Sequence, residues 1–489
     1  MSMLVLLSTA ALLAAVAAAA LPDAARRRTP ASLAIWPLAL ATFLAAVGAM
    51  TAAVGGGDLA GPLVAFLVVA LTVVVQLYAE RNLRGDPRSR LFFGFSSLAA
   101  LGSVASVTAG DLRLLAAGWT LATISTVVLI RAGGDGPQTR VATRRSAALL
   151  LLGDAALWAA VITVITTTGS ASLSAPATLS PVPATAVSVL VAIAAIARAG
   201  SFPLHGWLPT TAATTTPVSA LLHAGFVNAG AILLLRFAPV PAEAGPWVVG
   251  VAGGATMLLA SLAMLTRPDV KGRLVQSTAA QMGFMLVACS LGAFGLALVH
   301  VFGHALYKAS LFLGAGSAVE RALAARTTDA AHPSRRGGIL GAGVVVAVGI
   351  AAVAAGGILS HAAAILLLFP LATAAVAGAR IGGSGATTAA RTGLVAAVAA
   401  AVAGYALVVF PAAEALVPTA AAATLPPVVA VVLFLAGAGL AVVARTSGRF
   451  ADRMFAVGFA WGRPALPTPS VRPSTPAVLT GPLEYGSTR

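Results

Sequence analysis

Charge, cysteine and aromatic surface are what this chain lacks. Of its 489 residues only 9% are charged and 6% aromatic, and it holds a single cysteine and two lysines, Lys271 and Lys308. One cysteine leaves no disulfide framework and no Cys-x-x-Cys metal site, and Cys289 lies in an apolar run, as a buried structural thiol would. So little charge, beside 59% hydrophobic residues and a mean hydropathy of +0.97, excludes an ordinary soluble domain. The net charge of +16 does not point to nucleic acid, because the arginines are spread over many short segments and not gathered in one patch with interleaved aromatics. No stretch between the apolar runs is long enough for a globular domain. Chemistry therefore belongs in the membrane or on a partner.

What is present is a succession of apolar runs of the length needed to cross a hydrocarbon core of roughly 30 Å. They fall near 3–21, 33–54, 60–78, 92–108, 112–130, 147–168, 185–202, 218–237, 247–265, 274–291, 294–316, 338–358, 362–378, 392–410 and 425–443. The sequence thus predicts an all-α polytopic membrane protein of fourteen or fifteen transmembrane helices. Charge placement orients it. With the N-terminus outside, all but four of the 30 Lys and Arg fall in cytoplasmic loops or the C-terminal tail, as the positive-inside rule requires. Arg113 and Arg236 fall outside, and Arg198 and Lys308 lie within spans. The N-terminal run has no basic segment before it and is followed by Arg26, Arg27 and Arg28, so it is expected to be an uncleaved helix and not a secretory signal. Residues 444–489, basic and containing Pro, Ser and Thr, are expected to form a cytoplasmic tail with little fixed structure.

Two places interrupt the helical pattern. Residues 197–209 read ARAGSFPLHGWLP, where Gly200, Pro203 and Gly206 follow Arg198, and residues 356–361 read GGILSH, where Gly356 and Gly357 precede His361. Proline removes a backbone donor and clashes with the preceding turn. Broken helices in lipid survive only where protein or a water-filled cavity satisfies the freed backbone groups, so a pair of breaks beside ionisable residues points to a transport path. Each ionisable group inside a span costs roughly 2.5–3.5 kcal/mol on insertion scales and so marks a function or a partner. They are Asp154, Arg198, His223, His300, His304, Lys308 and, at the second break, His361. Asp154, alone among carboxylates in lying within a span, is either a counter-ion to Arg198 or a proton acceptor. His223 is either a packed, hydrogen-bonded residue or a relay.

Residues 300–308, HVFGHALYK, put His300, His304 and Lys308 on one helical stripe at a spacing of four, about 6 Å apart. Such groups can both accept and release protons near neutral pH, which is the composition of a proton wire. A metal site is disfavoured: no carboxylate or third ligand stands nearby and no His-Glu-x-x-His pattern occurs.

Three segments carry a family likeness. Residues 201–237 (SFPLHGWLPTTAATTTPVSALLHAGFVNAGAILLLRF), 269–285 (DVKGRLVQSTAAQMGFM) and 300–320 (HVFGHALYKASLFLGAGSAVE) resemble the proton-translocating antiporter-like subunits of respiratory complex I and of Mrp antiporters. The resemblance runs from about 112 to 378. Within that superfamily LLHAGFVNAG, QMGFM and HALYKASLFL are most similar to the DabB family, the membrane subunits of DAB inorganic-carbon accumulation systems. The resemblance implies two inverted repeats, here 111–240 and 241–380, each with a discontinuous helix, flanked by helices over 1–110 and 381–443. It places Arg198 where the first repeat carries a channel lysine, His223 as the connecting histidine, and Lys308 as the central lysine with His300 and His304 beside it. Lys271 matches a lysine at the cytoplasmic start of its helix, His361 the lysine at the second break, and Asp154 an acidic residue on the helix after the family's glutamate helix.

The chain departs from the complex I pattern in two ways. The glutamate that follows Gly-Trp there is Thr120 here, and Arg198 keeps its proton at any accessible pH and cannot relay one as lysine does. Arg198 is left to set the local charge, and the first half-channel is altered while the second is intact. The lateral helix of complex I subunits is also expected to be absent. The implied function is a proton- or other cation-conducting subunit in the cell membrane, with no cofactor or metal of its own and no catalytic residue. It would couple cation flow to a cytoplasmic DabA-like zinc protein that resembles a carbonic anhydrase. The alternatives are a complex I or hydrogenase proton pump and an Mrp-type Na+/H+ antiporter subunit.

Overall fold

The structure is a computed structural model that describes residues 3–20, 35–55, 59–315, 335–355, 367–384, 387–417, 428–443 and 448–462. Among these the chain is helical, with a lone β-bridge between Asp111 and Ser172. The second expected break, with Gly356, Gly357 and His361, lies outside the described residues. In chain order the helices are α1 (Met3–Ala20), α2 (Ile35–Gly55), α3 (Ala60–Asn82), α4 (Ser89–Val107), α5 (Leu112–Ala132), α6 (Pro137–Thr168) and α7 (Pro181–Ala199). There follow α8 (Thr216–Ala224), α9 (Ala229–Arg236), α10 (Ala244–Thr266), α11 (Val270–Ser290), α12 (Phe294–Leu313) and α13 (Arg335–Ala355). The last are α14 (Leu368–Gly382), α15 (Thr388–Gly404), α16 (Phe410–Leu416), α17 (Val428–Val443) and α18 (Arg449–Gly462). Among the described residues, eleven helical segments are long and apolar enough to cross a membrane, with α8 and α9 forming one of them and α15 and α16 another. Helix α11, whose first turns carry Lys271, Arg273 and Gln276, is not one of the eleven.

Lipid gives apolar side chains little reason to leave it, so helices in a bilayer associate through close packing of small residues. Two pairs of neighbours show this. A Cβ on Gly102 of α4 would come within 2.6 Å of the Gly118 carbonyl oxygen of α5, and a Cβ on Gly118 equally close to that of Gly102. Gly253 of α10 and Gly283 of α11 meet in the same reciprocal way, at 2.8 and 2.5 Å. Local caps then set where helices begin. Asp111 accepts from the N–H groups of Arg113 and Leu114 at the start of α5, and these bonds, that from Leu114 above all, hold its carboxyl below the usual range.

The first expected break is formed. Helix α7 ends at Ala199 because Gly200 turns into the left-handed region (φ +61°), where its N–H and that of Ser201 return to the Ala197 and Ile196 carbonyls. A side chain at 200 would also collide with Leu208. A cis peptide joins Phe202 to Pro203, and residues His205–Ala213 continue as a 3-10 helix before α8. Trp207 fastens this segment to α7 by donating its indole N–H to the Ala197 carbonyl at 2.9 Å, and Phe202 N–H donates to Thr256 Oγ1 of α10 at 2.8 Å.

The expected tail is partly a helix. Helix α18 packs on α10 through Gly458 and Gly462, which lie against Leu262 and Ala263. Arg267 reaches the Gly462 carbonyl at 3.4 Å, a cation at a helix C-terminus. Trp461 lies flat on His205, ring centroids 3.7 Å apart and planes 6° apart, so α18 rests on the break after α7. The prolines of the tail, and all of its Ser and Thr except Thr446 and Ser447, lie beyond residue 462, and averaging composition over 444–489 hides the helix before them.

Candidate functional site

Arg198 sits one residue before the end of α7, and its guanidinium is sandwiched between Trp119 of α5 (3.8 Å) and Phe226 (4.1 Å). Its Nη2 donates to the Trp119 carbonyl (3.1 Å), to Thr123 Oγ1 (2.7 Å) and to Asp154 Oδ1 of α6 (3.5 Å). Thr123 in turn donates to Asp154 Oδ1 at 3.0 Å. Arg198 is 2% exposed and Asp154 4%, so the ion pair is out of solvent. A desolvated cation held over aromatic faces gains about 2 kcal/mol, and here both faces and one edge are engaged. The sequence offers a counter-ion to Arg198 as one of two roles for Asp154, but no spacing signal joins Arg198 to Trp119 or Phe226. Thr120, which stands where the resemblance places a glutamate, accepts the Trp158 indole N–H at 3.0 Å. Beside Arg198 lies a cavity of about 90 Å³ whose walls include Leu71, Ala100, Trp119, Phe226 and Val301. Most of its wall is apolar, with Thr72, Ser103, Thr126 and Asn228 among the polar residues on it.

A different arrangement runs from Lys271 to His300. Lys271, in the first turn of α11, donates to the Thr214 carbonyl at 3.0 Å. Thr214 Oγ1 meets Ser219 Oγ at 2.9 Å and donates to the Thr211 carbonyl at 2.8 Å, and Thr211 Oγ1 lies 3.1 Å from His223 Nε2. These hydroxyls come from the 3-10 segment that the break creates and from the start of α8. His223 is wholly buried, and its Nδ1 has no protein partner.

Helix α12 carries the stripe. Lys308, also wholly buried, donates to the Leu274 carbonyl of α11 at 3.3 Å and to Ser277 Oγ. His304 is 4% exposed, and neither of its ring nitrogens has a protein partner; Nε2 of His300 has none either. The two imidazoles face each other with centroids 5.9 Å apart and planes 18° apart, and Phe284 of α11 flanks His300 at 5.2 Å. Among the described residues no three His, Cys, Asp or Glu side chains converge as metal ligands would.

The structure therefore brings together His300, His304 and Lys308, separately sets Lys271 against Thr214 and His223 against Thr211 of the same turn, and pairs Asp154 with Arg198. Gly200 and Pro203 shape the break. Gly206 lies within it against Arg145 and Leu149. Sequence reading missed Ser277, Thr211 and Thr214, because a hydroxyl on an apolar helix ordinarily bonds its own preceding carbonyl and gives no signal. Hydrogen bonds to charged groups contribute about 1.5–3 kcal/mol. Ser277→Ala is accordingly expected to lower proton flux in proteoliposomes by roughly ten- to a hundredfold, with Ser277→Thr largely restoring it. Wild-type flux in Ser277→Ala would remove Ser277 from the path.

Residues 109–333 match the family described as NADH:quinone oxidoreductase/Mrp antiporter, TM. A probable inorganic carbon transporter subunit DabB of Hydrogenovibrio crunogenus is 47% identical over 165 residues, 32% of each chain. The corresponding subunit of Bacillus subtilis is 35% identical over 272 residues, 53% of each chain. These matches thus span about a third and about half of the two relatives. An Mrp complex from Dietzia sp. shares the fold, with a TM-score of 0.58 at 24% identity over 93% of this chain and 52% of the other.

Proposed function

Because residues 109–333 carry the membrane domain common to NADH:quinone oxidoreductase and Mrp antiporter subunits, we propose that the chain is the proton-conducting membrane subunit of a DAB-type inorganic-carbon accumulation complex. The observation that carries the reading is the stripe of His300, His304 and Lys308, buried at His304 and Lys308 and half-buried at His300, fastened to α11 at Ser277. Buried ring nitrogens need hydrogen-bond partners, and water is the small molecule that supplies them in a bundle interior. Waters between His300, His304 and Lys308 make that stripe one half of a relay, and the segment between Lys271 and His223, lined by the hydroxyls of Thr211, Thr214 and Ser219, makes the other. The Arg198 cluster lacks such a path. Its arginine holds its proton and its threonine is committed to Trp158. The complex I pumping cycle, which uses both halves, is the weaker reading for that reason.

The similarity to DabB subunits supports inorganic carbon as the transported species. In this reading the N-terminus is outside, and proton flow down its gradient drives a cytoplasmic zinc protein of the DabA type that hydrates CO2 to bicarbonate. The zinc belongs to that partner. Purification of the tagged chain in mild detergent is expected to bring down one large soluble zinc-containing subunit, and the pair is expected to let a carbonic-anhydrase-deficient host grow in air. Recovery of iron–sulfur and quinone-linked subunits, or of several small hydrophobic subunits, would overturn it in favour of a redox pump or an Mrp-type antiporter.

A further inference from the structure

The stripe on α12 does not stop at Lys308. One turn further, at the same spacing of four, stands Phe312, fully buried, its ring parallel to the His223 imidazole with centroids 4.7 Å apart and planes 6° apart. His223 is engaged through Nε2 by Thr211, and its Nδ1 has no protein partner. Lys308 turns the other way, to Ser277 and the Leu274 carbonyl of α11. The hydroxyl-lined segment that begins at Lys271 and the stripe that ends at His300 thus adjoin at a phenyl ring and not at a hydrogen bond. A phenyl ring has no lone pair and no dissociable proton. A parallel stack also fixes the plane of the imidazole and covers one of its faces.

We infer that Phe312 is a shutter between the two halves of the relay. With the ring on His223 the path is broken. When the ring swings off, room opens for water to link His223 Nδ1 to the Lys308 ammonium, and protons pass. The position suits the task, since one residue of α12 touches His223 of α8 while its neighbour a turn away holds α11. A small shift of α12 together with α11 against α8 moves the ring while Lys308 keeps its hydrogen bonds to α11. A wire without such a break would conduct whether or not the partner worked, so the shutter is what ties flow to coupling. The inference rests on the reading of this stripe as the conducting path.

The test uses the full-length chain in nanodiscs and proteoliposomes, comparing wild type with Phe312→Ala and Phe312→Leu. Deuterium exchange at the imidazole C2 carbon, read by mass spectrometry, reports water access to His223, with His205 beside α18 as the internal control. Passive proton flux under an imposed potential is measured in parallel. Phe312→Ala is expected to raise both His223 exchange and flux several-fold while His205 is unchanged. Phe312→Leu, which keeps most of the packed volume and is used where the alanine variant does not elute as a single species, is expected to raise both by less. Wild-type exchange with wild-type flux overturns the shutter, and so does a fall in flux with unchanged exchange, which makes Phe312 a positioning residue. Increased exchange with no flux in any variant, wild type included, overturns the conducting path itself and the shutter with it.

Discussion

Lys308→Ala is expected to abolish proton flux and the air growth of a carbonic-anhydrase-deficient host, while the chain stays folded and keeps its soluble partner. Lys308 is the ammonium that joins the histidine stripe of α12 to α11, through Ser277 and the Leu274 carbonyl. Its removal leaves His304 and His300 with no titratable neighbour one turn further along α12. A positioned proton-transfer group contributes on the order of 10²- to 10⁴-fold, so residual flux should sit at least about a hundredfold below wild type. Folding is spared because alanine removes the charge together with the donor, and the acceptors left behind are not themselves charged. The Leu274 carbonyl retains its helical bond, and Ser277 Oγ donates back to that same carbonyl at 2.8 Å. Lys308→Arg separates charge from proton transfer. Guanidinium keeps the positive charge but does not release its proton, so it should be as inactive as alanine. Normal growth with Lys308→Ala would sink the relay, and activity in Lys308→Arg would make position 308 a fixed charge.

The stripe was legible in the sequence because it obeys one local rule: polar groups four apart in an apolar helix share a face. The spans were legible for a similar reason, since length and hydropathy are properties of single segments. The break after α7 was equally plain, because Gly200 and Pro203 act on their own backbone. What the sequence hid are contacts between segments far apart in the chain. Trp119 and Phe226 cage an arginine 79 positions from the first and 28 from the second. Phe312 was simply another apolar residue until its ring was seen on His223. The helix α18 left a fainter trace in Gly458 and Gly462, two glycines four apart on one helical face, but the Pro-containing residues after it masked the pattern. The small-residue faces also explain why so uniform a composition gives one arrangement. Leu in lipid chooses no partner, whereas Gly102 against Gly118 and Gly253 against Gly283 permit close approach at those registers.

Asp154→Asn and Arg198→Met, made singly, are each expected to destabilise the chain by about 3–5 kcal/mol, because each strands a buried charge whose partner has gone. The pair is 3.5 Å apart with Thr123 bridging it, and both side chains are almost wholly out of solvent. Unfolding in mixed micelles titrated with SDS measures the loss. Combined, the two substitutions should recover most of it, since methionine fills the space between Trp119 and Phe226 and asparagine still accepts from Thr123. Replacing a buried pair by groups of similar volume is often neutral or better. The double variant also decides what the pair is for. If Asp154 takes up protons, a stable double variant will not conduct. The caged geometry predicts the opposite: the stable double variant conducts as wild type does, because Arg198 is spent on holding α5, α6 and the end of α7 together. A single Asp154→Asn variant as stable as wild type would refute the structural role, and a stable double variant without flux would return Asp154 to the relay.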